Sequence, residues 1–228
     1  MSTVFIISAP SGSGKSTLVN ELRKIVPDLY FSISYTTRKP RGSETNGREY
    51  FFVSVQEFEK MILQDEFLEH ACVFGNYYGT ARRFMREAQQ RNNDLLLDID
   101  VQGAAQIKRK LPEAISIFIL PPNRDTLEWR LRNRSLDSAE VIQRRLVTAA
   151  REIENYPNYD YILINDRLEQ STDELKAIVL SERLKRSGRT LSPNEAEVLA
   201  MADRCLLPNV RSRLQPILAS FALSATPN

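Results

Sequence analysis

The chain of 228 residues is long enough for one sizeable core, or for a core with small inserted subdomains. Its 31 Lys and Arg exceed its 29 Asp and Glu by only two, which excludes a whole-surface nucleic-acid binder but leaves room for local anion sites. Cys72 and Cys205 match no metal-ligand spacing and read as free thiols, the N-terminal apolar run is too short for a secretory leader, and no stretch approaches membrane-spanning length; a soluble, cytoplasmic protein is expected, with no membrane and no nucleic acid as partner.

Val4-Phe5-Ile6-Ile7 reads as a buried strand and Leu18, Val19, Leu22, Ile25 and Val26 as one face of a helix. Between them stand Ser8, then Ala9-Pro10-Ser11-Gly12-Ser13-Gly14-Lys15-Ser16-Thr17, which fits the phosphate-binding pattern G-x-x-x-x-G-K-[ST] except that Ala9 replaces the first glycine. Small residues let backbone N–H groups point inward, and the helix that follows offers its positive N-terminus to an anion. Lys15 reaches the outer phosphates of a bound nucleotide, and the Ser16 hydroxyl is placed to ligand Mg²⁺. Ala9 is tolerated there only with φ negative, because a Cβ makes the left-handed region costly.

After Pro27-Asp28 the pattern predicts a strand over 30–35, a basic, turn-rich stretch over 36–47, and a strand over 50–53. Ser54-Val55-Gln56-Glu57 is a capping box opening a helix to about 64, and a strand over 67–74 ends at Gly75-Asn76-Tyr77-Tyr78-Gly79. A polar helix over 81–91 follows, then Leu95-Leu96-Leu97-Asp98-Ile99-Asp100, an apolar run that delivers acids to the C-terminal edge of a parallel sheet. Next come a helix through Ala104, Ile107 and Leu111, a strand over 115–120, and a stretch over 124–151 with seven arginines on two helical patterns, the second capped by Asp137-x-x-Glu140. A strand over 161–164 leads to Asn165-Asp166, and Ser171-Thr172-Asp173-Glu174 caps another helix. Alternating βα units of this kind mean an α/β fold with an open, mostly parallel sheet flanked by helices.

The stretch Thr36-Thr37-Arg38-Lys39-Pro40-Arg41 through Arg48-Glu49-Tyr50 places two arginines on a turn and a tyrosine at a strand start, which together suit a terminal phosphate. With Glu69, Gly75-Asn76-Tyr77-Tyr78-Gly79-Thr80, Asp98-Ile99-Asp100-x-Gln102-Gly103 and Ile164-Asn165-Asp166, it resembles the signature of the guanylate kinases, in order from about Val4 to Lys185. The resemblance implies a nucleotide-kinase core that closes two subdomains around ATP and GMP, with Mg²⁺ accompanying ATP. It implies ATP-dependent phosphorylation of GMP, and of dGMP, by direct phosphoryl transfer. It also implies that Arg38, Arg41, Tyr50 and Tyr78 hold the GMP phosphate, that Ser34, Glu69, Thr80 and Asp98 or Asp100 surround the guanine, and that Arg134 and Arg145 are catalytic arginines of a lid, acting with Lys15 and Arg41. Guanine suits a carboxylate independently, since its N1–H and 2-amino group are donors side by side whereas adenine has an acceptor and no amine there.

Several assignments stay open at this level. Asp98 and Asp100 serve either the base or a water-held Mg²⁺, and Asn165 meets either the adenine edge of ATP or an Asx turn. Arg124, Arg130, Arg132, Arg144 and Arg151 read as a solvated helix face, and His70 as a structural or surface residue. The expected division is a catalytic domain over 1–186, with core 1–33, 84–123 and 153–186, a GMP-binding insertion 34–83 and a lid 124–152, and a helical extension over 187–228. Within the extension, Ser192-Pro193-Asn194-Glu195 caps a helix over 196–207 that Pro208 ends. The apolar stripe Leu214, Ile217, Leu218 and Phe221 either packs on its own domain or serves a homo-oligomer contact. The rival readings are a non-catalytic guanylate-kinase-like binding module and another phosphate-loop small-molecule kinase of the same fold.

Overall fold

A computed structural model describes residues 2–73, 75–134 and 138–222, with the Arg134 side chain outside the described residues. The chain divides into two compact units, residues 1–6 with 27–115 and residues 7–26 with 116–228.

In the first unit the apolar strand β7 (Asp94–Asp98) lies between β2 (Leu29–Phe31) and the start of β1 (Val4–Ser8). β2 and β7 run parallel, Tyr30 opposite Leu95. The strand expected over 30–35 is in fact two. The Ser32 amide makes a last bond to the Leu96 carbonyl, and the chain then leaves this sheet and enters another as β3 (Tyr35–Thr36). The four-stranded sheet has the order β4-β3-β6-β5, with β4 (Phe51–Phe52) parallel to β3, and β5 (Phe67–Val73) and β6 (Asn76–Ala81) forming an antiparallel pair. The segment around Gly75–Gly79, expected as the end of a strand, is largely this returning strand. Its aromatics give the reason: Tyr77 stacks on Phe58 at 5.2 Å, and Phe58 on Phe67 at 4.5 Å, so pairing β6 with β5 closes a small core over α2 (Val55–Leu63). Ser54 caps α2, its Oγ accepting from the Glu57 amide. α3 (Arg82–Gln90) and α4 (Val101–Lys110) complete the unit, and Asp100 is the N-cap of α4.

In the second unit β8 (Ile115–Leu120) lies between the end of β1 and β9 (Tyr161–Ile164), with β8 and β9 parallel. Around it are α1 (Lys15–Ile25), α5 (Arg124–Arg134), α6 (Ala139–Ile153), α7 (Leu168–Ser187), α8 (Pro193–Asp203) and α9 (Leu207–Ala222). The expected cap Asp137 lies outside the described residues, and Ser138 caps α6 instead, through the Val141 amide. α7 starts at Leu168 rather than after Ser171, because Ser171 is a buried interior residue of the helix and its amide bonds back to the Arg167 carbonyl. The Ser192 capping box forms, but its helix ends at Asp203. Pro208 then opens α9 instead of closing α8, since a proline in the first helical turn removes an N–H that has no partner there. Of the expected stripe in α9, Leu214, Ile217 and Phe221 are buried on their own unit at 5 % exposure or less, together with Val210, and Leu218 is half-buried.

Candidate functional site

β1 is buried throughout and carries the chain into the loop before α1. α1 begins at Lys15 behind Gly14, whose φ of 90° belongs to the left-handed region where a side chain is strained. The helix has no side-chain cap and no acid in its first turn, so its N-terminal field is directed at whatever anion the loop receives. Ala9, which stands at the pattern's first glycine, does not have a positive φ and meets the condition its Cβ imposes. Ser16 and Thr17 are exposed in the first turn and Lys15 is half-buried.

Three side chains from later in the sequence fasten this loop. Asn165, at the end of β9 and 5 % exposed, donates through Nδ2 to the Ser13 carbonyl at 2.7 Å. It approaches so closely that a Cβ on Gly14 would stand 2.3 Å from that nitrogen. Arg130 on α5 donates to the Asn165 carbonyl at 2.9 Å and to the Ser13 carbonyl at 3.4 Å. Arg145 on α6 donates to Ser11 Oγ at 2.8 Å. Burial pulls the Arg130 guanidinium below its ordinary range, opposed by nearby Asp166. Arg130 is therefore no solvated-face residue, unlike Arg124 and Arg132, which do pair with Glu128 one turn away. Nothing in its spacing separates it from them, because the target is backbone carbonyl rather than a side chain.

All nine residues expected around GMP lie in the first unit. Thr36 and Thr37 fix the turn: Thr36 Oγ1 accepts from the Arg38 amide, and Thr37 exchanges bonds with Tyr77 through its amide and its Oγ1. Arg38 is thereby held with its guanidinium 5.3 Å from the Tyr50 ring centroid, hydrogen-bonded to Tyr78, and the two tyrosines meet edge to face at 5.9 Å. Glu44, not foreseen from the sequence, takes both prongs of Arg38 and also accepts from the Arg41 amide at 2.7 Å. The Arg41 side chain is exposed, and Ser34 is half-buried, its carbonyl accepting from the Phe51 amide.

Glu69 lies on β5 opposite Thr80 on β6 and is 3 % exposed. Burial pushes its carboxyl up to about 7, the charge of Asp100 adds to this, and Thr80 and Lys110 pull the other way. Gly103 on α4 makes room for it, since a Cβ there would come within 2.5 Å of Glu69 Oε2. That contact explains the glycine in Asp100-x-Gln102-Gly103, a role the sequence pattern left without a cause. Asp100 uses Oδ1 to cap α4, accepting from the amides of Gln102 at 2.7 Å and Gly103 at 2.9 Å, and Asp98 stands half-buried at the end of β7. The His70 backbone is pinned to α4 by Gln106, whose Nε2 donates to the His70 carbonyl at 2.7 Å.

Among the described residues no group of three or more His, Cys, Asp or Glu could hold a metal. One exposed hydroxyl, Ser16, beside a loop of backbone donors suits a cation that brings most of its ligands with a phosphate chain. Among the described residues no helix is long and apolar enough to cross a membrane.

Residues 1–182 match the guanylate kinase family. The guanylate kinase of Koribacter versatilis (strain Ellin345) is 59 % identical over 228 residues, 99 % of this chain and 98 % of that protein. The guanylate kinase of Escherichia coli (strain K12) is 50 % identical over 187 residues, 81 % of this chain and 90 % of the relative. The crystal structure of guanylate kinase from Anaplasma phagocytophilum superposes with a TM-score of 0.67 at 32 % identity, covering 79 % of this chain and 86 % of that one. Matched by the family over residues 1–182 and by a relative over nearly its whole length, the chain belongs to the guanylate kinase family.

Proposed function

We propose that this enzyme transfers the γ-phosphoryl group of ATP to GMP, and to dGMP, with the residues of the first unit holding the acceptor and those of the loop holding the donor. The observation that carries the choice of base is Glu69. A carboxylate buried to 3 % exposure and raised to about 7 gains most from a ligand that offers it two N–H donors, and the Watson–Crick edge of guanine does so. Arg38, Tyr50 and Tyr78, already assembled, and Arg41 would take the phosphate, with Ser34, Thr80 and Asp98 or Asp100 around the base. The acceptor oxygen is already anionic, so no covalent enzyme intermediate is required, and the protein's part is alignment and charge neutralisation.

On the donor side, the backbone of 9–14, Lys15, Ser16 and Thr17 would cradle the phosphates, Asn165 would set the loop's position, and Arg134 and Arg145 would face charge developing on the transferred group. Mg²⁺, arriving with ATP and held in part by Ser16, would neutralise the outer phosphates. The division into a catalytic domain over 1–186 and an extension over 187–228 goes with this reading, as does work in the cytoplasm on small molecules. The test is ADP formation with GMP, dGMP, AMP, UMP and a sugar phosphate as acceptors. Turnover confined to the two guanine nucleotides is expected, and equal turnover of AMP would overturn the assignment of Glu69.

A further inference from the structure

The segment after Gly188 lies beyond the family match, yet it reaches every element that fastens the phosphate loop. α8 packs on α7. Between α8 and α9 the chain runs briefly beside β9 as an added edge strand: Leu206 bridges Tyr161 antiparallel, the Ile162 amide donates to the Cys205 carbonyl at 2.8 Å, and the Leu207 amide donates to the Asp160 carbonyl at 3.1 Å. β9 is the strand that leads into Asn165. α9 then lays its buried face against α5, α6 and β9, the elements that carry Arg130, Arg145 and Asn165. Pro216 falls on the exposed side, as does Ser212, so the carbonyl that the proline leaves without a helical donor can be solvated.

The contact at Ser220 is the most specific. A helix start leaves its first N–H groups without helical partners. In α5 the Thr126 amide is served by Asn123 Oδ1 at 2.8 Å, and the Arg124 amide by Ser220 Oγ at 3.1 Å, from a residue 96 positions later. Ser220 in turn donates to the Ile217 carbonyl at 2.6 Å, so its hydroxyl is oriented to accept. The local cap thus serves the third residue of α5, and the amide of its first residue is served from the extension.

We propose that the extension is a positioning element for the donor side, and that Ser220, by capping α5 from α9, is a positioning residue for Arg130 and for the loop that Arg130 holds. The inference rests on the reading of residues 9–17 as the ATP site, and the experiment separates the two. Ser220→Ala and Lys15→Ala are assayed beside wild type, at a temperature where circular dichroism shows each folded, for kcat, the KM of ATP and the KM of GMP. Ser220→Ala is expected to raise the KM of ATP and lower kcat, together roughly five- to tenfold in kcat/KM for ATP, with the KM of GMP unchanged. Amide exchange over 124–127 should quicken as well. Should Ser220→Ala fail to hold its fold, Ser220→Cys, which keeps the shape and weakens the acceptor, is read in the same way. Unchanged ATP constants, or an equal rise in the KM of GMP, overturn the positioning role. An active Lys15→Ala overturns instead the reading of the loop on which it rests.

Discussion

Arg38 and Glu44 meet as a two-pronged ion pair, Nη1 2.9 Å from Oε2 and Nη2 3.0 Å from Oε1. The pair holds the Arg38 guanidinium above its ordinary range and the Glu44 carboxyl below its own, chiefly through these bonds. It also pins the turn, since Glu44 Oε2 accepts from the Arg41 amide. Arg38 is therefore held in place before the proposed GMP phosphate would arrive. Arg38→Lys keeps the charge and loses the planar fork, so it can neither grip both oxygens of Glu44 nor lie over Tyr50 in the same way. The KM for GMP should rise roughly tenfold, with a smaller change in kcat. Steady-state kinetics at saturating Mg-ATP provide the check, and a KM within twofold of wild type would remove Arg38 from the phosphate site.

The buried Glu69 gives a pH dependence whose sign can be stated. Its carboxyl rises from 4.5 to about 7 on folding, so the native state holds the proton more tightly than the unfolded chain. The associated stability is complete below 4.5 and is lost as pH climbs through about 7, amounting at high pH to a penalty of about 3 kcal/mol. Glu69→Gln removes that penalty, and the apo variant should melt higher than wild type at pH 8 and much closer to it at pH 5. In the proposed function, by contrast, guanine takes the ionised form as its double acceptor. The wild-type kcat/KM for GMP should fall below about pH 7, and in Glu69→Gln it should be lower by roughly ten- to a hundredfold and lack that inflection. Melting profiles that stay parallel across this range would show that the carboxyl is not raised.

Gly103 separates the stability of α4 from the placement of Glu69. In Gly103→Ala the helix gains about 1 kcal/mol of propensity, whereas the new Cβ, 2.5 Å from Glu69 Oε2 and 3.0 Å from Cδ, forces the carboxylate aside. The variant should melt at or above the wild-type temperature while the GMP to AMP preference narrows roughly tenfold or more. A preference that survives intact would mean that the carboxylate moves freely and that its position does not read the base.

The strand, turn and helix around Gly14 were legible because each has a local signature: an apolar run at Val4–Ile7, a glycine at the left-handed position 14, and helical spacing from Leu18. The burial of Glu69 was not legible, since an isolated acid in a strand carries no mark of it, and only the resemblance singled the residue out. Elements whose limits depend on distant partners were less readable. The sheet change at Ser32 is decided by the Leu96 carbonyl, the start of α7 by the burial of Ser171, and the place of Pro208 by a chain turn against β9. Arg130, which reads as a solvated-face residue, and Glu44 and Ser220, which carry no signal, share one reason for being missed. Each acts through a backbone group or a turn partner that only the fold brings near.

Arg145 and Arg130 both touch the loop, but they touch different chemistry, and their variants should part accordingly. Arg145 reaches the Ser11 hydroxyl, a contact that a guanidinium can exchange for a phosphate oxygen as charge develops on the transferred group. Arg145→Ala should lower kcat by about a hundredfold and leave the KM of either nucleotide nearly unchanged. Arg130 instead holds the carbonyls of Ser13 and Asn165, groups that bear on the shape of the loop and gain nothing in the transition state. Arg130→Ala should raise the KM of ATP by roughly tenfold and change kcat less, and Arg130→Lys, with one ammonium in place of a fork spanning two carbonyls, should recover only part of the loss. Asn165→Ala removes the 2.7 Å bond to Ser13 and should resemble Arg130→Ala, not Arg145→Ala. Steady-state constants for the four variants, with each nucleotide varied at saturation of the other, decide the matter. If Arg130→Ala lowers kcat as deeply as Arg145→Ala at unchanged ATP affinity, Arg130 faces the reacting phosphoryl group and the division of labour drawn from these contacts is wrong.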